Sequence, residues 1–296
     1  HQKAWRQAVA RTAACRVVQV ESDVIVPVET ASVKAQIGAR TLRPRIHRQL
    51  PDYLKALPAV AVATPTIKLR LDGMSLDDPA ALLKTLKVDR SVSAVSGVFQ
   101  GGASAAKRRF AEFLKNRFAR YEQNHNQPQT DDTSRMSPYL HFGQVSPLCL
   151  ALEVMKAPGP KAAKDAFLEE MIVRRELACN FTHYTPDYDS FACIPGWAQK
   201  SLAEHRRDRR PYVYSAAQLE NAQTHDPYWN AAMREMVCTG FMHTYMRMYW
   251  GKKILEWSPT PEEGVATTLA LNNRYFIDGR DPNSYAGVAW NYGVHD

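Results

Sequence analysis

Four stretches of the chain concentrate side chains that can do chemistry. The richest runs Thr224-His225-Asp226-Pro227-Tyr228-Trp229-Asn230 and then Met242–Trp257, where Trp229, Trp250 and Trp257 stand among tyrosines, methionines and Arg247. On a helix Tyr245, Met248 and Tyr249 share one face, and Arg247 and Trp250 another. Trp250 and Trp257, seven residues apart, would lie about 10 Å apart along the axis. Indoles are the most readily oxidised aromatic side chains, so such a set can hop an electron between a buried acceptor and the surface. Plain aromatic and methionine core packing accounts for the same spacing. A second stretch, Phe167–Phe181, crowds Glu169, Glu170, Glu176, Arg174 and Arg175 into a few helical turns. Such a pattern usually marks a salt-bridged exposed face. Its apolar residues also set part of the helix against a core, where a carboxylate can accept hydrogen bonds from a base or sugar.

The third stretch, Asp131–Gly143, sets Thr133, Ser134, Arg135 and Ser137 before a helix start at Ser137-Pro138. Free N–H groups and the dipole of a helix N-terminus suit a phosphate, although Ser137 as a simple cap explains the pattern too. The fourth, Leu271–Trp290, is dense in Asn, Asp, Arg and Gly, with Asn272, Asp278 and Arg280 near its centre. A polar loop is the default reading, and a loop that binds a polar heterocycle the sharper one.

The elements that must position these residues are mostly helical. Helical spacing covers Lys3–Ala14, Ala103–Tyr121, Phe167–Phe181 and a long run from Ala231 to Trp257. Thr260-Pro261-Glu262-Glu263 then opens a further helix, with Thr as N-cap, Pro at N1 and Glu at N3. Cys15–Val20 and Val24–Val28 read as strands. Residues 43–80 carry Pro44, Pro51, Pro58, Pro65 and Pro79 and read as a surface linker, and Ser96–Gly102 as a second loop. No strand alternation follows residue 100.

The chain has 296 residues, 45% of them hydrophobic and 23% charged, which fits a folded globular protein and excludes a low-complexity one. No apolar run of about 18 residues is present, so no transmembrane helix is expected. The five cysteines are scattered without a CxxC pair. They indicate neither a disulfide framework nor a zinc site, and fit a reducing intracellular compartment. The net charge of +8 favours phosphate polymers as partners. The first residues show no signal-peptide core and read like the inside of a longer chain.

Taken together, these stretches closely resemble the class II cyclobutane pyrimidine dimer (CPD) photolyases of the photolyase/cryptochrome family. Phe167–Phe181 is the most specific match, followed by Tyr245–Trp257, with Asp278–Asn283 and Ser137–Gln144 in the right order. The strong resemblance covers roughly residues 100–296. Thr41–Ile46 and the residues before it look like the end of the family's N-terminal domain. The implied fold is mainly α. Residues 1–42 would be the end of a Rossmann-like α/β domain, 43–102 an interdomain linker, and 103–296 a helical FAD-binding catalytic domain. The chain reads as truncated at both ends, so an antenna chromophore is not expected.

Residue roles follow from the resemblance. Tyr121 and the segment Thr133-Ser134-Arg135-Met136-Ser137 would hold the FAD phosphates and ribityl chain. Asn272 would face flavin N5, and Arg247 and Asp278 would pair beside the isoalloxazine, with Arg280 nearby. Glu170 would hydrogen-bond the flipped pyrimidines in a pocket lined by Asn126, Arg174, Tyr245, Met248 and Trp290. Trp250, Trp229 and Trp257 would form the photoreduction chain, in that order from flavin to surface. The implied activity is light-dependent repair of CPDs in DNA. The lesion is flipped out of the duplex, excited FADH⁻ donates an electron, the cyclobutane ring splits, and the electron returns. Glu170, if kept protonated, would donate to the dimer radical anion. The implied partner is DNA carrying CPDs, with no membrane, for an intracellular monomer. Two positions depart from the pattern: His125 stands where an arginine is common, and Arg174 where some members carry a tryptophan. A cryptochrome-like blue-light receptor without repair and a flavin-free helical DNA-binding module are the alternatives. Repair of (6-4) photoproducts would need an active-site histidine acting as an acid. His243 is on the right helix, but its neighbours match the class II pattern.

Overall fold

Three of the later helices start in one way. An Asp or Thr side chain accepts backbone N–H groups and a proline follows as the first helical residue, at Asp226-Pro227, Thr260-Pro261 and Asp281-Pro282. The side chain satisfies donors the helix leaves open, and the proline sits where its missing N–H is not needed. In the computed structural model, which describes residues 2–63, 65–70 and 73–295, the main helices in chain order are α1 (Gln2–Thr12), α2 (Ala39–Tyr53), α3 (Ala103–Asn116), α4 (Pro147–Lys156), α5 (Lys161–Leu168), α6 (Arg175–Tyr184), α7 (Pro227–Thr239), α8 (Thr244–Trp257), α9 (Pro261–Tyr275) and α10 (Pro282–Trp290). His1, Thr64, Leu71, Asp72 and Asp296, which the expected domain limits take in, lie outside the described residues. Among the described residues no helix is long and apolar enough to cross a membrane.

The described residues contain no β-strand, so the fold is helical and the strands expected at Cys15–Val20 and Val24–Val28 do not form. A strand needs a neighbour to satisfy its N–H and C=O groups. Val17, Val18 and Val20 are exposed instead. The second piece is buried, but its donors go to a side chain: Glu176 Oε1 on α6 accepts the N–H of Ile25 at 2.7 Å and of Val26 at 3.3 Å. Asn180 and Tyr184, four and eight residues further along α6, extend this clasp. Asn180 Oδ1 accepts from Gln36 N at 2.7 Å, and the Tyr184 hydroxyl donates to the Ser32 carbonyl at 2.6 Å.

Two further expectations are corrected. The linker read from residue 43 begins inside α2, which contains Pro44 and Pro51. Burial of Leu42 and Ile46 and a bidentate pair from Arg43 to Glu169, at 3.0 and 2.7 Å, outweigh the backbone bonds those prolines remove. The helix expected to run unbroken from Ala231 to Trp257 is two helices. Gly240 takes φ +67, closes α7 with its N–H on the Met236 carbonyl, and turns the chain. His243 then caps α8, its Nδ1 accepting the N–H of Tyr245 at 3.2 Å.

The core falls into clusters around the aromatic rows. Phe110, Phe113, Phe118, Tyr121 and Phe167 pack together on one side. Trp229, Trp250, Trp257, Met233 and Met236 form another cluster between α7 and α8. Helices α6, α9 and α10 join a third around Phe181, Val265 and Val288.

Candidate active site

These clusters leave a cavity of about 670 Å³, inside the range of small-molecule sites. It gathers most of the residues singled out in sequence. Tyr121, Asn126, Thr133, Ser134, Arg135, Met136 and Ser137 line it from the segments after α3. Glu170 and Arg174 come from the turn before α6, Arg247, Met248 and Trp250 from α8, and Asn272, Asp278 and Trp290 from α9 to α10. Two expected members are not in the wall. Tyr245 is 59% exposed. Arg280 has φ +68 and an exposed side chain, and only its backbone N–H is anchored, on Asn273 Oδ1 at 3.0 Å.

The run Phe167–Phe181 is not one α-helix. Residues Glu169–Arg174 form a π turn between α5 and α6. A π turn brings residues five apart into register, and Arg174 Nε accordingly meets Glu169 Oε1 at 3.3 Å, not Glu170. Glu169, shared between Arg43 and Arg174, is held well below the usual carboxylate range, chiefly by the Arg43 hydrogen bond. Glu170 is thereby left without an arginine partner and faces the cavity mouth. It remains solvent-accessible, yet the protein mass around it pushes its carboxyl upward, while Arg174 and His125 pull the other way. Next to it, Asn126 Nδ2 lies 3.0 Å from His125 Nε2, and the His125 ring stacks on Tyr121 at 4.9 Å.

The loop before Ser137 is braced from behind. Arg135 Nη2 binds Asp131 Oδ1 at 2.6 Å and its guanidinium lies 4.7 Å from the Phe241 ring centre. Arg120 and Asn124 hold buried Asp132 at 2.7 and 2.6 Å. Asp131 and Arg135 both take φ +53, a conformation that non-glycine residues adopt only when their surroundings impose it. Ser137 is the first helical residue and not the N-cap, which is Met136. On the opposite wall Arg247 forms a double hydrogen bond with Asp278, at 3.1 and 3.2 Å, and lies 3.8 Å over the Phe276 ring. Asn272 is buried beside them.

Arg175 is a cavity residue that sequence reasoning passed over. It is buried, and its Nε and Nη1 have no hydrogen-bond acceptor in the chain. The hydroxyl of Thr133, also on the wall, is buried without a partner. Leaving such groups unsatisfied is costly, most of all for a charge, so the wall is built for an anionic ligand with several acceptors.

Behind the cavity stand the tryptophans. Trp250 is on the cavity wall and stacks on Trp229 at 6.4 Å between ring centres, and Trp229 meets Trp257 at 5.6 Å. Trp257, expected at the surface end of the row, is only 1% exposed, so the row does not reach the surface.

Over all 296 residues the chain is 48% identical to a deoxyribodipyrimidine photo-lyase of Methanothermobacter thermautotrophicus, covering 64% of that protein. The chain is a photolyase homologue. Over 285 residues it is 42% identical to the deoxyribodipyrimidine photo-lyase of Oryza sativa, covering 56% of it. It thus spans less than two thirds of the length of either relative. In fold it matches a bacterial class III photolyase of Agrobacterium tumefaciens with a TM-score of 0.69 at 17% identity, over 99% of this chain and 58% of that one. No protein-family model matches the chain.

Proposed function

We propose that this chain is the catalytic part of a class II photolyase, a light-driven carbon–carbon lyase that repairs cyclobutane pyrimidine dimers in DNA. The observation that carries the reading is the unpaired Glu170 at the mouth of a cavity with the Arg247–Asp278 pair in its wall and the tryptophan row behind it. The unpartnered Thr133 hydroxyl and Arg175 guanidinium fit the phosphates of a flavin dinucleotide, with Ser134 and Ser137 beside them. Asn272 and the Arg247–Asp278 pair would hold its ring, and Tyr121 and Met136 would close the apolar side. Bound there, FAD would supply light-driven one-electron chemistry. Glu170, Asn126, Arg174, Met248 and Trp290 would hold a flipped pyrimidine dimer, and Glu170, with its raised carboxyl, would donate a hydrogen bond or proton to it. Trp250, Trp229 and Trp257 would pass electrons toward the cavity. The net positive charge would hold the duplex backbone, largely without reading sequence, and the chain would then act with DNA inside the cell.

Binding tests the substrate assignment. The flavin-loaded chain is titrated with duplexes that differ only in one thymine dimer. The dimer duplex should bind more tightly, and Asn126→Ala should narrow the difference. Equal affinity for damaged and undamaged DNA would remove the repair reading and leave the receptor one.

A further inference from the structure

His125 is oriented by the backbone just before it. Its Nδ1 lies 2.9 Å from the Tyr121 carbonyl oxygen and 3.1 Å from that of Glu122. A carbonyl oxygen only accepts, so Nδ1 carries the hydrogen. The Tyr121 ring fixes the plane of the imidazole, stacked on it at 4.9 Å and 20°. A neutral ring with its hydrogen on Nδ1 has its one lone pair at Nε2, which can then only accept. The group facing Nε2 is Asn126 Nδ2, at 3.0 Å. The amide therefore turns its NH2 toward the ring and its oxygen away from it. His125 and Asn126 both line the cavity, together with Glu170. Asn126 is exposed, and an exposed asparagine can otherwise present either end of its amide. The two ends recognise opposite partners.

We propose that His125 is a positioning residue for lesion recognition: its Nδ1–H tautomer locks Asn126 with the amide oxygen toward the substrate, as the acceptor for the N3–H of a flipped pyrimidine. The inference rests on the lesion-holding role given to Asn126 above. A thymine or uracil ring in a cyclobutane dimer loses its C5–C6 double bond but keeps its imide, an N3–H between two carbonyls. An acceptor from Asn126 and a donor from Glu170 match that N–H and a carbonyl next to it. A side chain at position 125 with donors alone would draw the amide oxygen to itself. Asn126 would then offer its NH2 to the N3–H, donor against donor. His125 thereby sets the polarity of the contact through Asn126.

Nitrogen NMR of the flavin-loaded chain reads the direction of the bond. The neutral His125 ring should carry its proton on Nδ1, and a nitrogen–nitrogen coupling should connect Asn126 Nδ2 to His125 Nε2 across the hydrogen bond. Function is read as the ratio of affinities for duplexes with and without one thymine dimer. His125→Arg, which brings donors only, should lower that ratio about tenfold, the worth of one lost hydrogen bond. Asn126→Ala should lower it as well, and His125→Arg added to Asn126→Ala should lower it no further. A direct effect of the new arginine on Glu170 would persist without Asn126, so the double variant separates the two. A neutral His125 with its proton on Nε2, an unchanged ratio in His125→Arg, or an undiminished His125→Arg effect in the Asn126→Ala background would overturn the proposal. A parent chain that binds both duplexes equally would instead overturn the repair reading beneath it.

Discussion

Glu170 and Glu176 lie six residues apart and are set to different tasks by what surrounds them. Glu170, at the cavity mouth, has its carboxyl raised by the surrounding wall. If it acts on the lesion as a donor, Glu170→Gln should slow light-saturated repair by about 10²-fold, with the bound-flavin spectrum unchanged. A rate equal to the parent's would remove Glu170 from the chemistry. Glu176 is buried among the N–H groups of the 25–26 segment, and burial raises its carboxyl to about 7 against those hydrogen bonds. A carboxyl whose folded value exceeds its unfolded one favours folding most when both states are protonated. That contribution is complete below about pH 4.5 and is lost as pH rises to about 7. The loss is on the order of 3 kcal/mol. Thermal midpoints of the parent chain should therefore fall between about pH 5 and about pH 8 more than those of Glu176→Gln, whose amide oxygen can still accept from Ile25 and Val26. Parallel pH profiles would refute this. Arg175, between these two glutamates in the chain, shows why a residue can hide in sequence. Beside Arg174 it reads as one of two surface charges, and only the packed wall shows that it points inward.

Among the elements, the break between α7 and α8 does most to shape the site, since it lets Met242 and Arg247 approach the cavity while Trp229 and Trp250 stay stacked. Gly240 makes it possible. An added Cβ there would meet the Ile277 Cβ at 3.2 Å, in a left-handed conformation. Gly240→Ala should cost about 1–2 kcal/mol, read as a lower urea midpoint with the slope unchanged. No loss of stability would mean that the turn is not strained. This break was not legible, because apolar residues keep helical spacing through it and one glycine is tolerated in many helices. The start of α9 was legible to the residue, since Thr260 and Pro261 fix it by local chemistry alone, and Thr260 Oγ1 accepts the Glu263 N–H at 3.2 Å. The π turn was not legible, because nothing in Glu169–Arg174 distinguishes it from an α-helix. One of its residues, Glu169, is bound by Arg43, 126 residues away in the chain, a partner that local sequence does not show.

At the scale of the whole molecule, the helical fold and most of the cavity wall were legible because motifs that look unremarkable singly occur together in a set order. What was not legible depends on long-range partners. The 24–36 segment takes its conformation from Glu176, Asn180 and Tyr184 rather than from its own β-branched residues, and Tyr245 and Arg280 share a helix or loop with cavity residues yet face outward. The arrangement as a whole places an accessible acid, a paired Arg247–Asp278 wall and a buried tryptophan row around one space. Its central claim is best tested by reducing the flavin-loaded chain without oxygen, adding DNA with a single thymine dimer, and following the dimer under blue light and in the dark. Dimer loss in the light alone is the expected result. A flavin that stays bound and reduced while the dimer persists under illumination would contradict it.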